Sequence, residues 1–144
     1  MQKNIILVVA FLLLSSYLTS NIHATLIPNG KTLYVGGNGP HNYTKIQNAI
    51  NDAEDGDTII VYPGIYYENI IIDKSINLIG KNKYNTVIDG NYRGDVVKIT
   101  RGEVKLSGFT IRNSKKSFER AGILIHNSDH VTIENNIIHF FLFC

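Results

Sequence analysis

The hydrophobic pattern along this chain changes period twice. Ile5 to Leu14 is an unbroken apolar run behind one basic residue, Lys3. Ile46, Ala49, Ile50 and Ala53 then recur at i, i+3, i+4 and i+7, the stripe of a short helix. From Thr58 onward, apolar pairs separated by one residue alternate with Gly, Asn and Asp turns, the mark of short strands. The order predicts a targeting stretch, one helix and a long series of strands.

The strand pairs repeat. Ile70-x-Ile72 returns as Val97-x-Ile99 and Ile123-x-Ile125, and Ile76-x-Leu78 returns as Val104-x-Leu106 and Val131-x-Ile133. A third register runs through Ile88, Ile111 and Ile138, with Ile60 placed one turn earlier. All three advance by roughly 27 residues, a period at which repeat units bury their apolar faces against neighbours. Strand pleating points residues two apart to the same side, so each register becomes an internal column. The chain therefore reads as an all-β parallel β-helix, a single-stranded solenoid of three short strands per coil. Ile72 to Ile76, Ile99 to Val104 and Ile125 to Val131 are close corners, whereas Ile79–Thr86, Gly90–Asp95 and Asn113–Ala121 are projecting loops. Asn113, Asn127, Asn135 and Asn136 fall at strand ends, where Asn accepts left-handed φ.

The helix explains one end of such a solenoid. Thr44-Lys45-Ile46-Gln47 fits a capping box, and Asp55-Gly56-Asp57 stops the helix. Its Ile46/Ala49/Ile50 face covers the open core of the first coil, with the Leu33-Tyr34-Val35 strand leading in. The other end, Ile137 to Cys144, is apolar and has no polar cap. Either it self-associates with a partner copy through this uncapped C-terminal coil or the chain is part of a longer protein; the small number of coils favours the second.

The opening stretch reads as an address. A basic start, a ten-residue apolar run and a small residue at Ala24 follow the order of a secretory signal peptide, and the run is short of the roughly 20 residues a spanning helix needs. Cleavage is placed near Ala24, with a cut after Ser20 or a retained anchor as alternatives. The chain divides into a signal peptide at 1–24, an N-terminal strand and capping helix at 25–57, and β-helix coils at 58–144. Its expected location is secreted or at the cell surface.

Composition removes several classes. With 44% hydrophobic residues and a net charge of +2, the chain is neither disordered nor basic enough for a nucleic-acid partner. One Cys, Cys144, supports neither an internal disulfide framework nor a Cys-based zinc site.

The run Gly56-Asp57-Thr58-Ile59-Ile60-Val61-Tyr62-Pro63-Gly64-Ile65-Tyr66-Tyr67-Glu68-Asn69 resembles the opening coil of right-handed β-helix proteins of the pectin-lyase-like superfamily. Ser75 to Gly80 and Thr86 to Gly90 continue that opening, and Leu106 to Ser114 is similar to its internal repeat. Within the superfamily, NosD-like proteins and exported archaeal surface proteins are most similar. The resemblance spans Leu33 to Phe140 and implies a right-handed coil. For function it implies a cell-surface structural or carbohydrate-associated module, whose partner would be a polysaccharide or cell-envelope glycan. The alternatives it raises are a fragment of a pectinesterase- or pectate-lyase-like enzyme and a NosD-like copper-enzyme maturation factor. Pectinesterase-like enzymes use two Asp and an Arg with supporting Gln, and that set has no counterpart here, because Gln47 is the one Gln after the signal region.

No catalytic residue is assigned, and no metal or cofactor is implied. Asp89 and Asp95 flank a loop carrying Arg93, yet Asp89-Gly90-Asn91 reads first as turn chemistry rather than a calcium site. His126 and His130, with His139 beyond, read as solvated corner residues rather than converging ligands. Tyr62, Tyr66, Tyr67, Tyr84 and Tyr92 sit at strand edges or loops, where the plain reading is rim packing. Tyr92 and Arg93 are the candidates for an exposed contact. Lys115, Lys116, Glu119 and Arg120 form a charged loop, and Asn42-Tyr43-Thr44 makes Asn42 a candidate N-glycosylation position.

Overall fold

The computed structural model describes residues 30–116 and 121–139. The signal stretch, Glu119 and Arg120 of the charged loop, and the run from Phe140 to Cys144 lie outside the described residues. No helix among the described residues is long and apolar enough to cross a membrane.

The strands are β1 (Thr32–Val35), β2 (Thr58–Val61), β3 (Gly64–Tyr66), β4 (Ile70–Ile72), β5 (Asn77–Gly80), β6 (Thr86–Asp89) and β7 (Val97–Ile99). They continue as β8 (Lys105–Ser107), β9 (Thr110–Arg112), β10 (Ile123–Ile125), β11 (Thr132–Glu134) and β12 (Ile137–Ile138). One helix, α1 (Ile46–Asp52), lies between β1 and β2. Every strand pairing is parallel; β1 lies beside β2, and from β2 onward successive strands fall into different sheets. Sheet A runs β1-β2-β5-β8-β11, sheet B runs β3-β6-β9-β12, and sheet C is built from β4, β7 and β10. The chain visits A, B and C in turn and then returns to A one layer further along. This is a parallel β-helix.

Register places the repeated residues in columns. Leu33, Ile59, Leu78, Leu106 and Ile133 are consecutive partners in sheet A. Ile72, Ile99 and Ile125 stack in sheet C, and Ile88, Ile111 and Ile138 in sheet B. Ile59, Leu78, Leu106, Ile72, Ile99, Ile88 and Ile111 are fully excluded from solvent, so each contributes about 2 kcal/mol of burial. Ile125 and Ile133 occupy the same columns in the last described coil and are 45% and 36% exposed.

Sheet B corrects one expectation. Ile60 lies in β2 of sheet A; the residue above Ile88 is Tyr66. The step from Thr58 to Asn77 is only 19 residues, shorter than the later coils, so β3 follows β2 almost at once. Tyr66 is therefore a core residue rather than a rim one: it is 8% exposed, and its hydroxyl donates to Tyr62 O at 2.8 Å. Burial, with Glu68 nearby, holds its pKa above the usual tyrosine value.

The helix covers the first coil as the pattern requires, with Ile46, Ala49 and Ile50 all at 0% exposure. Its capping differs. Lys45 is the N-cap and no side chain of the Thr44–Gln47 segment caps it. The carboxylate of Glu68, on the corner between β3 and β4, accepts from Ile46 N at 2.9 Å and Gln47 N at 3.0 Å instead. Gln47 is then free for another task. Its Oε1 accepts from Ile71 N at 2.8 Å and its Nε2 donates to Ile71 O at 3.2 Å, so one amide side chain stands in for a neighbouring strand at the open edge of β4. The helix stops with Ala53 extended, and Gly56 takes its positive φ in the following turn rather than at the helix end.

Of the Asn residues at strand ends, Asn113, Asn127 and Asn135 adopt left-handed φ. Asn136 does not; its side chain accepts from Phe109 N and donates to Leu106 O, tying its coil to the one before. Gly80 and Gly108 sit over each other at the A-to-B corner. A Cβ on Gly108 would lie 2.0 Å from Gly80 O, and Gly108 also has φ +82°. That corner closes only with glycine.

Candidate functional site

Three corners between sheets C and A stack in successive coils: Asp73 to Ile76, Thr100 to Val104, and His126 to Val131. Their backbones hold one another in place. Thr100 N donates to Ile72 O and His126 N donates to Ile99 O, each at 2.9 Å, so the same bond repeats one coil apart. Glu103 N reaches Asp129 O at 3.1 Å, and the Ser75 hydroxyl donates to Gly102 O at 2.9 Å. Glu103, Asn127 and His130 take left-handed φ, which curls the chain and throws their side chains outward.

The result is an open polar cleft of about 500 Å³. Ser75, Arg101, Glu103, Asn127, Asp129 and His130 line it. Arg101 is anchored from the far side, its Nη2 donating to Asp55 Oδ2 at 3.1 Å. Asp55 also accepts from Ser75 N at 2.9 Å, and this bond, with the Arg101 charge beside it, holds the Asp55 carboxyl below its ordinary pKa. His130 Nδ1 lies 3.5 Å from Asp129 Oδ2, with both side chains mostly exposed. Arg101 offers donors, Glu103 and Asp129 offer acceptors, and Asn127 offers both. Among the described residues, no group of three or more His, Cys, Asp or Glu is placed to hold a metal ion.

The opposite corner, between sheets B and C, holds a closed ionic cluster. Asp89 accepts from Arg112 Nε at 2.9 Å, from Asn113 Nδ2 at 2.9 and 3.0 Å, and from Asn91 N at 3.0 Å. Its side chain is 4% exposed. Burial pushes the Asp89 carboxyl upward, and the bonds from Asn91, Asn113 and Arg112 outweigh it, leaving the pKa below the ordinary value. The bond from Asn91 N makes this the turn its sequence suggested. With both oxygens occupied and turned from solvent, Asp89 is an architectural anion rather than a nucleophile.

The remaining candidates separate. Tyr92 is 44% exposed with φ +57°, and the cation over its ring is Lys116 Nζ at 5.4 Å rather than Arg93. Arg93 is exposed on the same turn, its backbone N–H donating to Gly90 O. Asp95 accepts from Ala121 N at 2.8 Å, joining its loop to the next coil. Asn42 is half-buried and its Nδ2 donates to Gly36 O, so a glycan there would replace that bond. His139 lies in sheet B's coil, away from the cleft holding His130. Sequence reasoning treated the three close corners only as turns. Their shared polar content, read down the repeat, was the signal for the cleft.

No protein-family model matches the chain. It is 36% identical over 104 residues to a cell surface glycoprotein of Methanothermus fervidus, an alignment covering 70% of this chain and 16% of that protein's length. Its fold is similar to that of pectin methylesterase PemA from Erwinia chrysanthemi, with a TM-score of 0.56 and 16% identity. The match covers 74% of this chain and 45% of the esterase. The chain thus spans a small part of its curated relative and less than half of the solved one.

Proposed function

We propose that the chain is an exported β-helix module of the cell envelope, acting as a structural or glycan-associated element of the surface. The observation that supports this reading is its 36% identity over 104 residues to a cell surface glycoprotein. Among the described residues no buried side-chain nitrogen or oxygen lacks a hydrogen-bond partner, and the buried Asp89 carboxylate is occupied by Arg112, Asn113 and Asn91 N.

The rival reading is a fragment of a polysaccharide-active enzyme, which the esterase-like fold raises. Two measurements separate them. Antibody labelling of intact native cells is expected to detect the protein at the surface, and retention in the cytoplasmic fraction would overturn export. Incubation of the purified protein with methylated polygalacturonan is expected to release neither methanol nor shortened chains. Release of either, lost on mutating a single acidic residue, would establish the enzyme instead.

A further inference from the structure

We infer that the open face of the last described coil is covered by the segment that follows it, residues 140–143, which packs its Phe and Leu side chains onto the ends of the three internal columns. In the coil formed by β7, β8 and β9, the inward residues Val97, Ile99, Leu106 and Ile111 are fully excluded from solvent. Their register partners one coil on are Ile123, Ile125, Ile133 and Ile138. Ile125 and Ile133 are exposed, and Ile123 and Ile138 are only half-buried. Among the described residues β10, β11 and β12 each pair with a single strand, so their outer edges stand open as well.

The sequence departs from the repeat at this place. Ile138 lies over Ile111, so Phe140, Phe141, Leu142 and Phe143 correspond to Asn113, Ser114, Lys115 and Lys116 one coil earlier. Ile111 lies over Ile88, and the same positions in the coil before that are Gly90, Asn91, Tyr92 and Arg93. Two projecting polar loops are thus followed, at one register, by four large apolar residues, a composition suited to burial. Their point of entry fits. His139 N donates to Ile111 O at 3.0 Å, so sheet B delivers the segment to the rim of the open face. Extended chain advances about 3.3 Å per residue, so four residues span about 13 Å, enough to cross a core whose facing sheets lie about 10 Å apart. The first coil is closed in the same manner, by the buried Ile46, Ala49 and Ile50 of α1.

Area decides between this occupant and a second copy of the chain. An exposed Ile side chain offers about 100 Å², so four half-buried ones on each of two facing copies would bury about 400 Å². A stable interface between proteins needs roughly 1,200 Å². Each Phe ring of the segment can bury about 150–250 Å², so three rings and a Leu are ample for one face. The tether also holds them there at high local concentration.

Nuclear magnetic resonance of the isotope-labelled full chain tests this. Contacts are expected between the rings of Phe140, Phe141 or Phe143 and the methyl groups of Ile125 and Ile133, whose signals should be shifted upfield at every protein concentration. The triple variant Phe140→Ser/Phe141→Ser/Phe143→Ser is expected to lose those shifts. It should also exchange the amides of β10, β11 and β12 at least tenfold faster, with α1 and β5 unchanged. Phe140→Leu/Phe141→Leu/Phe143→Leu keeps apolar bulk and should retain most of the protection. If the Ser variant does not fold, the ring–methyl contacts of the wild-type chain decide the matter alone. Absence of those contacts, or wild-type exchange in the folded Ser variant, would overturn the inference. So would contacts that run between labelled and unlabelled copies in a mixed sample and fade on dilution, a result that would assign the face to a second copy.

Discussion

Replacing Glu68 with Ala removes the carboxylate that caps the first turn of the helix from the solenoid. In the native chain it accepts from two consecutive N–H groups, Ile46 at 2.9 Å and Gln47 at 3.0 Å, and α1 has no local side-chain cap to take over. Hydrogen bonds to a charged group contribute about 1.5–3 kcal/mol when buried, and water can partly replace them at this half-exposed corner. The two bonds together are then worth about 2–3 kcal/mol, a factor of roughly 30 to 150 in a local opening equilibrium. Ile46, Ala49 and Ile50, now fully buried, would be exposed in that opening, and Gln47 would release the edge of β4. Native-state amide exchange resolves this residue by residue. In Glu68→Ala the amides of Ala49, Ala53 and Ile71 are expected to exchange roughly 30-fold or more faster, with those of β8 and β9 changing far less. Glu68→Gln, which keeps neutral acceptor capacity, should fall between. Unchanged protection in α1 would refute the capping role. Equal loss through every coil would refute the idea that the end opens on its own.

Leu106→Ala empties one fully buried position of the sheet A column and should cost about 3–5 kcal/mol in denaturant unfolding, while Leu106→Asp should abolish the cooperative transition. A Leu106→Asp variant with a wild-type melt would disprove the coil register. Gly108→Ala drives a methyl group into Gly80 O at a positive φ and should lower the melting temperature by several degrees; a neutral result would show that this corner can relax. Asp89 has a depressed pKa in the folded state, so its contribution is present above the unfolded carboxylate value of about 4 and is lost as pH falls through the lower folded value. Asp89→Asn should therefore destabilise the protein at neutral pH by about 2–3 kcal/mol and flatten the acid limb of its stability profile. An acid limb identical to wild type would show that other carboxylates carry it.

How much of this was legible depends on how far apart the partners lie. The columns were readable because every coil must present an Ile, Leu or Val to the same interior line, and Leu78, Leu106 and Ile133 announce that line by recurrence alone. The misreadings share another physical origin. Thr44 and Gln47 satisfy a local capping rule, yet the helix is capped by Glu68 from 22 residues away, because the solenoid brings that corner beneath its first turn. Tyr66 was hidden by chemistry, a phenol in a column otherwise built of Ile, and by the short first coil that shifts the register of sheet B. The cleft was hidden by dispersion. Asp55 and Arg101 are separated by 46 residues, and Ser75 and Gly102 by 27, so only the coil pitch reveals them as neighbours.

That pitch also divides the molecule into parts with different freedom to vary. An inward residue must match the residues above and below it, so a change in one coil is felt in two others, and aliphatic side chains persist there. Corner residues have backbone duties, met by main-chain bonds such as Thr100 N to Ile72 O, that leave the side chain uncommitted. Asp89 and Arg112 show one outcome, a corner whose polar groups are spent on one another and on the fold. Glu103 and Asp129 show the other, since their side chains stay exposed while the backbone beneath them is held. Side chains free to vary in this architecture therefore collect where stacking fixes the main chain but asks nothing of the side chain. Along the C-to-A corner Lys74, Ser75 and Arg101 are tied to neighbouring segments, whereas Glu103 and Asp129 meet that condition.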